Sequence, residues 1–249
     1  MLRIALPNKG RLATDTLELF ADAGLEVRSS GPRALTASLG GEFEAIFVRA
    51  QDIPEFVADG AASAGVTGWD LACESGRELH ELLDLGFGRC RLVDVVPVSG
   101  AAEIAPHLGI ADIVVDLTST GSTLKTNGLR EIATVLHSTA RLVAAPALAA
   151  AAGSAATLAL GELVMALESV LRARGQRYLM ANVPRAALDE VKRVLPGLNG
   201  PTVIDLLNGG THVAVHAVVP AHAIYRTIAA LKSLGGEGIL VTRIERLMP

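Results

Sequence analysis

Aromatic residues are scarce in this chain of 249 residues: they make up 3% of it, although 50% of the residues are hydrophobic. The core must therefore be built from alanine, valine, leucine and isoleucine, and the length allows one large core or two to three small ones. A basic excess is also lacking, because the formal net charge is -4. This balance argues against a general nucleic-acid or acidic-membrane binder, and we expect neither partner.

Cysteine is nearly absent as well. Cys73 and Cys90 have no CxxC spacing, which argues against a structural zinc site, fits a reducing compartment and does not require a disulfide. The N-terminus carries no long apolar segment of the signal-peptide kind, so we expect a cytoplasmic protein. Residues 142–161 are uncharged and long enough to span a bilayer, but small residues dominate them. We predict a linker or a weakly packed helix there.

Strands and helices alternate along the chain, which predicts an α/β fold. The predicted elements are a strand at 2–6, a helix at 14–23, two strands within 35–49, a short helix capped by Asp52, a strand that runs into a glycine turn at 64–70, extended segments at 82–85 and 90–96, and a connecting helix around 160–171. From residue 177 onward the order strand, helix, strand, strand, helix, strand is the ferredoxin-like plan.

The stretch of residues 112–131 carries the main candidate site. Its β-branched run at 113–115 predicts a buried strand, and Asp116 follows at the strand's carboxyl end, where open α/β sheets bind ligands. A helix predicted from Ser122 or Thr123 towards Val135 would point its N–H groups and dipole at an anion. The hydroxyl-rich residues before and at this helix start are Thr118, Ser119, Thr120, Gly121, Ser122 and Thr123. An ordinary N-capped helix after a strand is the alternative interpretation.

Cations and glycine turns mark other loops. Lys9 and Arg11 follow the first strand, and Arg49 ends an apolar strand just before a helix. Arginine is the preferred bidentate partner of phosphate, although solvated surface cations are the commoner case. The glycine turn before Asp70 has ordinary turn chemistry as its alternative. Two histidines at 212 and 216 share one strand face without a third ligand nearby, so no metal site is predicted.

Three separated stretches together resemble the ATP phosphoribosyltransferase family, which opens histidine biosynthesis. They are residues 6–12, residues 49–54 with 65–70, and residues 103–106 with 112–131, while 196–202 and the C-terminal plan resemble the family's long form. The resemblance implies an α/β fold with a two-lobed, periplasmic-binding-protein-like catalytic part, a truncated second lobe, and a C-terminal ferredoxin-like βαββαβ regulatory domain. The implied ranges are 1–94 with 136–176 for the first catalytic subdomain, 95–135 for the second, and 177–249 for the regulatory domain.

The resemblance also implies a reaction: N1 of ATP attacks phosphoribosyl pyrophosphate, pyrophosphate leaves with Mg²⁺, and histidine inhibits the enzyme. It implies a homo-oligomer, from dimer to hexamer, and no residue of the chain is assigned as a metal ligand. The catalytic cations would be Lys9, Arg11, Arg33 and Arg49. The substrate-binding residues would be Asp70, Asp116, Thr118, Ser119, Thr120, Gly121, Ser122 and Thr123. The residues of the allosteric histidine site would be Asn182, Leu198 and Thr202.

One departure from the family pattern stands out. Relatives carry a further strand, helix and strand before the segment that matches residues 99–103, whereas here residues 95–98 join that segment almost directly. Parallel strands need a crossover of about a dozen residues, so a short join does not replace the lost unit. Two readings follow: a working enzyme with a small second subdomain, or a weak or silent phosphoribosyl- and histidine-binding protein. A periplasmic solute-binding protein is disfavoured by the missing signal peptide.

Overall fold

The computed structural model of the chain describes residues 1–29, 34–92, 115–126, 128–150, 153–207 and 209–248. These residues form two compact units, Met1–Met165 and Ala166–Pro249. Arg33 and the strand predicted at 113–115, apart from Val115, lie outside the described residues. So does the short join at 95–98.

The first unit is an α/β structure, and its described residues form two sheets. Its elements are β1 (Leu2–Pro7), α1 (Arg11–Asp22), β2 (Val27–Ser29), β3 (Thr36–Leu39), β4 (Phe43–Val48), α2 (Ile53–Ala58), β5 (Ala64–Gly68), α3 (Trp69–Glu74), β6 (His80–Asp84), β7 (Cys90–Leu92), β8 (Leu117–Thr118), α4 (Ser122–Thr126), β9 (Leu136–Ser138), β10 (Ala140–Ala144) and α5 (Pro146–Ala150). The larger sheet has the order β2-β3-β4-β1-β5-β10-β6. The smaller sheet, β8-β7-β9, is antiparallel.

Strands β1 and β5 form the centre of the larger sheet and are buried, as expected for parallel strands covered on both faces. Gly65 of β5 lets α2 approach closely, because a Cβ there would lie 2.5 Å from Cγ2 of Ile53. Strands β1, β4 and β5 are mutually parallel, so their carboxyl ends reach one edge of the sheet. That edge is where such sheets place ligands.

Helix α6 (Ala155–Ala173) begins in the first unit and ends in the second. The second unit continues with β11 (Gln176–Pro184), α7 (Leu188–Val194), β12 (Thr202–Asp205), β13 (His212–Pro220), α8 (Ile224–Ser233) and β14 (Glu237–Arg243). Its sheet has the order β12-β13-β11-β14, and all neighbouring strands are antiparallel. Alternate residues of β11 and β13 are buried with Val191 of α7 and Leu231 of α8, so the helices cover one face of the sheet.

The predicted alternation of strands and helices is confirmed, but several elements differ from the prediction. Helix α4 ends at Thr126 rather than running to Val135, which lies in irregular chain and is 58% exposed. Gly128 adopts φ 63° and donates its N–H to the carbonyl of Lys125 at 3.2 Å, a helix-ending conformation that glycine favours. The helical spacing of later leucine and isoleucine residues therefore does not continue the helix.

The uncharged segment at 142–161 was also predicted wrongly at its start. Leu142, Val143 and Ala144 are fully buried in β10, a strand of the larger sheet, and the alanine-rich part that follows contains α5 and the start of α6. Strand β10 is short and buried on both faces, so its apolar run lacks the alternation that marks a strand. Within the described ranges, no helix is long and apolar enough to cross a membrane.

Two smaller local predictions need correction. Asp52 takes the N-cap position of α2, but its side chain makes no capping hydrogen bond. Pro184 ends β11 instead of opening the next helix, which begins after a short 3₁₀ turn. Both cysteines are free.

Candidate functional site

A pocket of about 440 Å³ lies in the first unit, at the small sheet and the end of the larger one. Three arginines and several hydroxyl groups contribute to it, a composition that suits a ligand with several phosphate oxygens. The lining residues are Asp84, Arg89, Cys90, Arg91, Thr118, Ser119, His137, Ser138, Thr139 and Arg141.

Two predicted site residues from distant parts of the chain meet at this pocket. Arg11 is the first residue of α1 and follows Gly10, which adopts φ 80°. The guanidinium Nη1 of Arg11 donates to Oγ of Ser119 at 3.4 Å, and Ser119 lines the pocket. The loop after β1 and the hydroxyl-rich loop after β8 are therefore in contact.

The loop of residues 116–123 is anchored at one residue and exposed at the next ones. Thr118 pairs with Arg91 of β7 and is buried, whereas Thr120 and Ser122 are exposed with their hydroxyl oxygens 3.0 Å apart. Gly121 adopts φ 71°, and a Cβ there would meet no atom within 4 Å. The loop thus presents hydroxyl groups beside open space.

Asp116 and Thr123 are the first and last residues of this loop. The carboxylate of Asp116 is exposed and accepts the backbone N–H of Leu117 at 2.7 Å. Thr123 is the second residue of α4. That helix is only five residues long, so its dipole contributes little to anion binding and the hydroxyl groups must carry the chemistry.

Asp70 is held by a serine of the small sheet. Its backbone N–H donates to Oγ of Ser138 at 3.0 Å, and that hydroxyl donates to Oδ1 of Asp70 at 2.6 Å. The carboxylate folds back over Gly68, where a Cβ would lie 2.4 Å from Oδ1. Asp70 is thus fixed in the first turn of α3.

The thiol of Cys90 lies among these residues. Burial raises its pKa above the ordinary value, and the negative charge of Asp70 raises it further. A hydrogen bond with Ser138 and the positive charge of Arg11 act in the opposite direction. The ionisation of Cys90 is therefore coupled to the charges of Asp70 and Arg11 and to the hydrogen bond with Ser138.

Two of the pocket arginines already have carboxylate partners. Arg141 lies 2.9 Å from Glu81 and 2.8 Å from Asp84, and its guanidinium carbon is 5.8 Å from the ring centroid of Trp69. Arg91 pairs with Glu131 at 2.9 Å. Of the three pocket arginines, Arg89 is the one that forms no ion pair with any residue the structure describes.

Two further predicted cations of the first unit lie at the sheet edge described above. Lys9 follows β1 and Arg49 follows β4, and both are exposed. Asp70 follows β5 at the same edge. The three strands run parallel, so these loops leave the sheet at the same edge, while the roles of these residues stay predictions.

The pocket also contains residues that the sequence did not single out. Arg89, Arg91, Ser138 and Arg141 come from strands or strand ends separated in the chain by residues 93–135. The alternation of Arg89 and Arg91 around β7 was the one available signal, and it is common on exposed strands. Their convergence depends on long-range strand pairing, which local patterns do not report.

In the second unit, two of the three predicted histidine-site residues, Asn182 and Thr202, share one face of the sheet. Thr202 of β12 is paired with His216 of β13, and Asn182 of β11 is paired with Ala214, so β13 separates the two. The amide of Asn182 lies over Gly238, where a Cβ would be 3.2 Å from Nδ2. Leu198 is 53% exposed in the loop before β12.

The two histidines of β13 do not form a metal site within the described residues. Nδ1 of His216 lies 2.6 Å from the hydroxyl of Tyr178, and Nδ1 of His212 lies 3.3 Å from that of Thr211. Throughout the ranges that the structure describes, no group of three or more histidine, cysteine or acidic residues is arranged to hold a metal ion.

Comparison with known proteins gives two family matches. The family described as ATP phosphoribosyltransferase matches residues 49–97 and 93–169, and the family described as HisG, C-terminal domain, matches residues 173–246. The first match is split at residues 93–97, the region where the sequence predicts a missing unit.

Curated relatives of known name align with the full length of this chain. An ATP phosphoribosyltransferase of Gemmatimonas aurantiaca is 64% identical over 292 aligned positions that cover 100% of both chains. One of Halorubrum lacusprofundi is 43% identical over 301 positions, covering 99% of this chain and 100% of the relative. Both alignments are longer than this chain, so parts of these relatives have no counterpart here.

A solved structure agrees at the level of the fold. A chain of the ATP phosphoribosyl transferase (HisG:HisZ) complex from Thermotoga maritima superposes with a TM-score of 0.57 at 22% identity, covering 68% of this chain and 99% of that one. Together with the sequence matches, this places the chain among the glycosyltransferases of amino-acid biosynthesis. Within that class it belongs to the ATP phosphoribosyltransferase family, in the long form that carries a C-terminal domain.

Proposed function

We propose that the pocket and the loop of residues 116–123 bind phosphoribosyl pyrophosphate, and that N1 of ATP attacks its anomeric carbon there. The observation that carries the proposal is the contact between Arg11 and Ser119. It joins a cation-bearing loop to a hydroxyl-rich loop at one point. A sugar phosphate with a departing diphosphate requires this combination of fixed positive charge and hydrogen-bond donors.

The exposed hydroxyls of Ser119, Thr120 and Ser122 suit the 5-phosphate of the sugar. Gly121 supports this role because it leaves open space where a side chain would stand and lets an anion approach the backbone. Asp116, exposed at the entrance to the loop, would accept hydrogen bonds from the ribose hydroxyls. Thr118 lines the pocket and anchors the loop to β7.

The cations at the sheet edge and pocket suit the pyrophosphate and the triphosphate of ATP. In the reaction the lone pair of adenine N1 forms the new bond to the anomeric carbon, and pyrophosphate departs with the electron pair of the broken C–O bond. Lys9, Arg11, Arg49 and Arg89 would neutralise the developing charge, and Arg33 is proposed to do the same. Adenine N1 carries no proton, so positioning and electrostatics replace general-base catalysis.

Magnesium belongs to the same proposal. Mg²⁺ is usually held by substrate phosphates and waters with one or two carboxylates. Such binding does not require a cluster of three protein ligands, and the described residues contain no such cluster. Asp116, with its exposed carboxylate near the loop, is the residue best placed to add an oxygen ligand. The bound ion would supply positive charge to the leaving pyrophosphate.

We further propose the regulatory organisation of the family's long form. Residues 1–94 with 136–176 and residues 95–135 would form the two lobes of a periplasmic-binding-protein-like catalytic part. Residues 177–249 would form a ferredoxin-like domain, which the strand order β12-β13-β11-β14 supports. This domain would bind histidine through Asn182, Leu198 and Thr202 in a cytoplasmic homo-oligomer between dimer and hexamer.

Because Asn182 and Thr202 lie on either side of β13, they would contact histidine from two sides or across an interface between copies. Light scattering with and without histidine tests the oligomer. A monomer in both conditions would contradict it. Calorimetry with histidine tests the site, and Asn182→Ala should weaken binding while Gln176→Ala, at the other end of β11, should not.

A second candidate function is a weak or silent phosphoribosyl- and histidine-binding protein. The split family match at residues 93–97 favours it, because a lost unit would remove part of the second lobe. Steady-state assays decide between the two. Pyrophosphate release that requires ATP, phosphoribosyl pyrophosphate and Mg²⁺ together supports the enzyme, and its loss with EDTA and return with Mg²⁺ supports the metal. Calorimetric binding of phosphoribosyl pyrophosphate without turnover would support the silent protein instead.

A further inference from the structure

We propose that Ser138 is a positioning residue that fixes the carboxylate of Asp70 for the transferase reaction. The inference rests on the proposed role of Asp70 in binding a substrate. Ser138 is 3% exposed and lies at the end of β9, and it also lines the pocket. Sequence patterns gave it no role, because an isolated serine in a strand is unremarkable.

The two residues are joined by a reciprocal pair of hydrogen bonds. Ser138 Oγ accepts the backbone N–H of Asp70 at 3.0 Å and donates its proton to Oδ1 at 2.6 Å. A hydroxyl has one proton to donate, and in this arrangement the proton is given to Oδ1 of Asp70. No residue among those the structure describes bonds to Oδ2 of Asp70, which leaves that oxygen for a substrate hydroxyl or a metal-bound water.

Ser138 also connects the two parts of the site. It is paired with Cys90 of β7, and the next residue of β7, Arg91, is paired with Thr118 of the hydroxyl-rich loop. A main-chain bond from Trp69 N–H to Thr139 O, at 3.0 Å, fixes α3 against the same strand. Movement of the small sheet would therefore be transmitted to Asp70 through Ser138.

Removing the hydroxyl has a defined consequence for the carboxylate. Without the proton from Ser138, Oδ1 loses the donor that holds it, and the carboxylate is free to rotate about its side-chain torsions. The backbone bond between Trp69 and Thr139 remains, so the helix keeps its place. The fold should then survive while the carboxylate leaves the orientation that catalysis needs.

A double-mutant cycle tests this inference, with kcat/KM measured for each substrate in Ser138→Ala, Asp70→Ala and the combined variant. We expect Ser138→Ala to lower kcat/KM by about 10- to 100-fold, the scale of a misplaced catalytic group. In the Asp70→Ala background the same change should have almost no further effect, because the two residues act as a unit. Ser138→Thr, which keeps the hydroxyl, should restore most of the activity.

The control is Ser169→Ala. Ser169 is also 3% exposed and donates its hydroxyl to a main-chain carbonyl, that of Ala166 at 2.7 Å. The Ser169→Ala variant should retain activity. Thermal unfolding should show that Ser169→Ala and Ser138→Ala lose comparable amounts of stability. Ser138→Cys keeps the shape with a poor donor, and it serves as the test if Ser138→Ala does not fold.

The outcomes separate the inference from the proposal beneath it. If Asp70→Ala is damaging but Ser138→Ala and Ser138→Cys are fully active, the positioning role is overturned and the role of Asp70 stands. Losses that multiply in the combined variant also overturn it. If Asp70→Ala is fully active, both the substrate role of Asp70 and the positioning role are overturned.

Discussion

The guanidinium of Arg11 donates to the hydroxyl of Ser119 at 3.4 Å across a sequence separation of 108 positions. This contact brings the loop after β1 to the loop that carries the hydroxyl groups. Neither loop alone provides both a cation and hydroxyl donors, and an anion between them would be contacted by both. The pair is therefore a sensitive place to test the proposed donor site.

Arg11→Gln should lower kcat/KM for phosphoribosyl pyrophosphate by about 100-fold, the usual cost of losing a donor aimed at developing charge. Arg11→Lys should keep part of the activity, because it retains the charge without the planar fork. Arg28→Gln, at an exposed arginine of β2, is the matched control and should be unaffected. Equal activity in Arg11→Gln and the control would remove Arg11 from the site.

The combined change Thr120→Val and Gly121→Val should abolish binding of phosphoribosyl pyrophosphate, measured by calorimetry. It removes a hydroxyl and fills the open space at Gly121. A β-branched residue at φ 71° is also strained, so strain needs its own control.

Gly76→Val supplies that control, because Gly76 adopts φ 63° and also faces open space, at the far end of α3. It should lose a similar amount of stability and still bind the donor. Unchanged donor affinity in a folded Thr120→Val, Gly121→Val variant would show that the loop does not receive the phosphate.

The thiol of Cys90 should react slowly with iodoacetamide near neutral pH, because burial and the charge of Asp70 raise its pKa. The rate is measured against pH in a Cys73→Ser background. Asp70→Asn should lower this pKa by removing the nearby negative charge, and Arg11→Gln should raise it by removing a positive one. The exposed Cys73, in a Cys90→Ser background, is the reference. Identical pH profiles in all variants would contradict the arrangement of these residues.

Two glycine-to-alanine changes should move stability in opposite directions. Gly65→Ala places a methyl group 2.5 Å from Cγ2 of Ile53 and 3.1 Å from Cγ2 of Val57, so it should destabilise the protein by about 1–3 kcal/mol. Gly161→Ala adds a methyl group in open space on helix α6 and should stabilise it by about 0.4–1 kcal/mol. Urea unfolding of both variants measures the difference. A neutral Gly65→Ala would mean that α2 packs less closely on β5 than the structure shows.

Features that depend on interactions between neighbouring residues could be predicted from the sequence, and features that depend on contacts between distant residues could not. Strands β1 and β5 were predictable because apolar runs and glycine turns are local signals, whereas the helix α3 that follows β5 directly was not predicted. The length of α4 was not predictable, because apolar residues continue at helical spacing beyond Gly128, the glycine at which the helix stops. Ser138 could not be found either, because its partner Asp70 is 68 positions away and the bond requires a completed sheet.

The position of β10 has a consequence for how the chain acquires its structure. Among the strands that the structure describes, β6 joins the larger sheet only through β10, which comes much later in the sequence and lies between β5 and β6. During synthesis the edge of β5 has no strand partner until β10 has been synthesised, which takes several seconds at about 5–20 residues per second. Until then an apolar strand presents unpaired backbone groups to its surroundings, so the nascent chain is most exposed to misassembly in this interval.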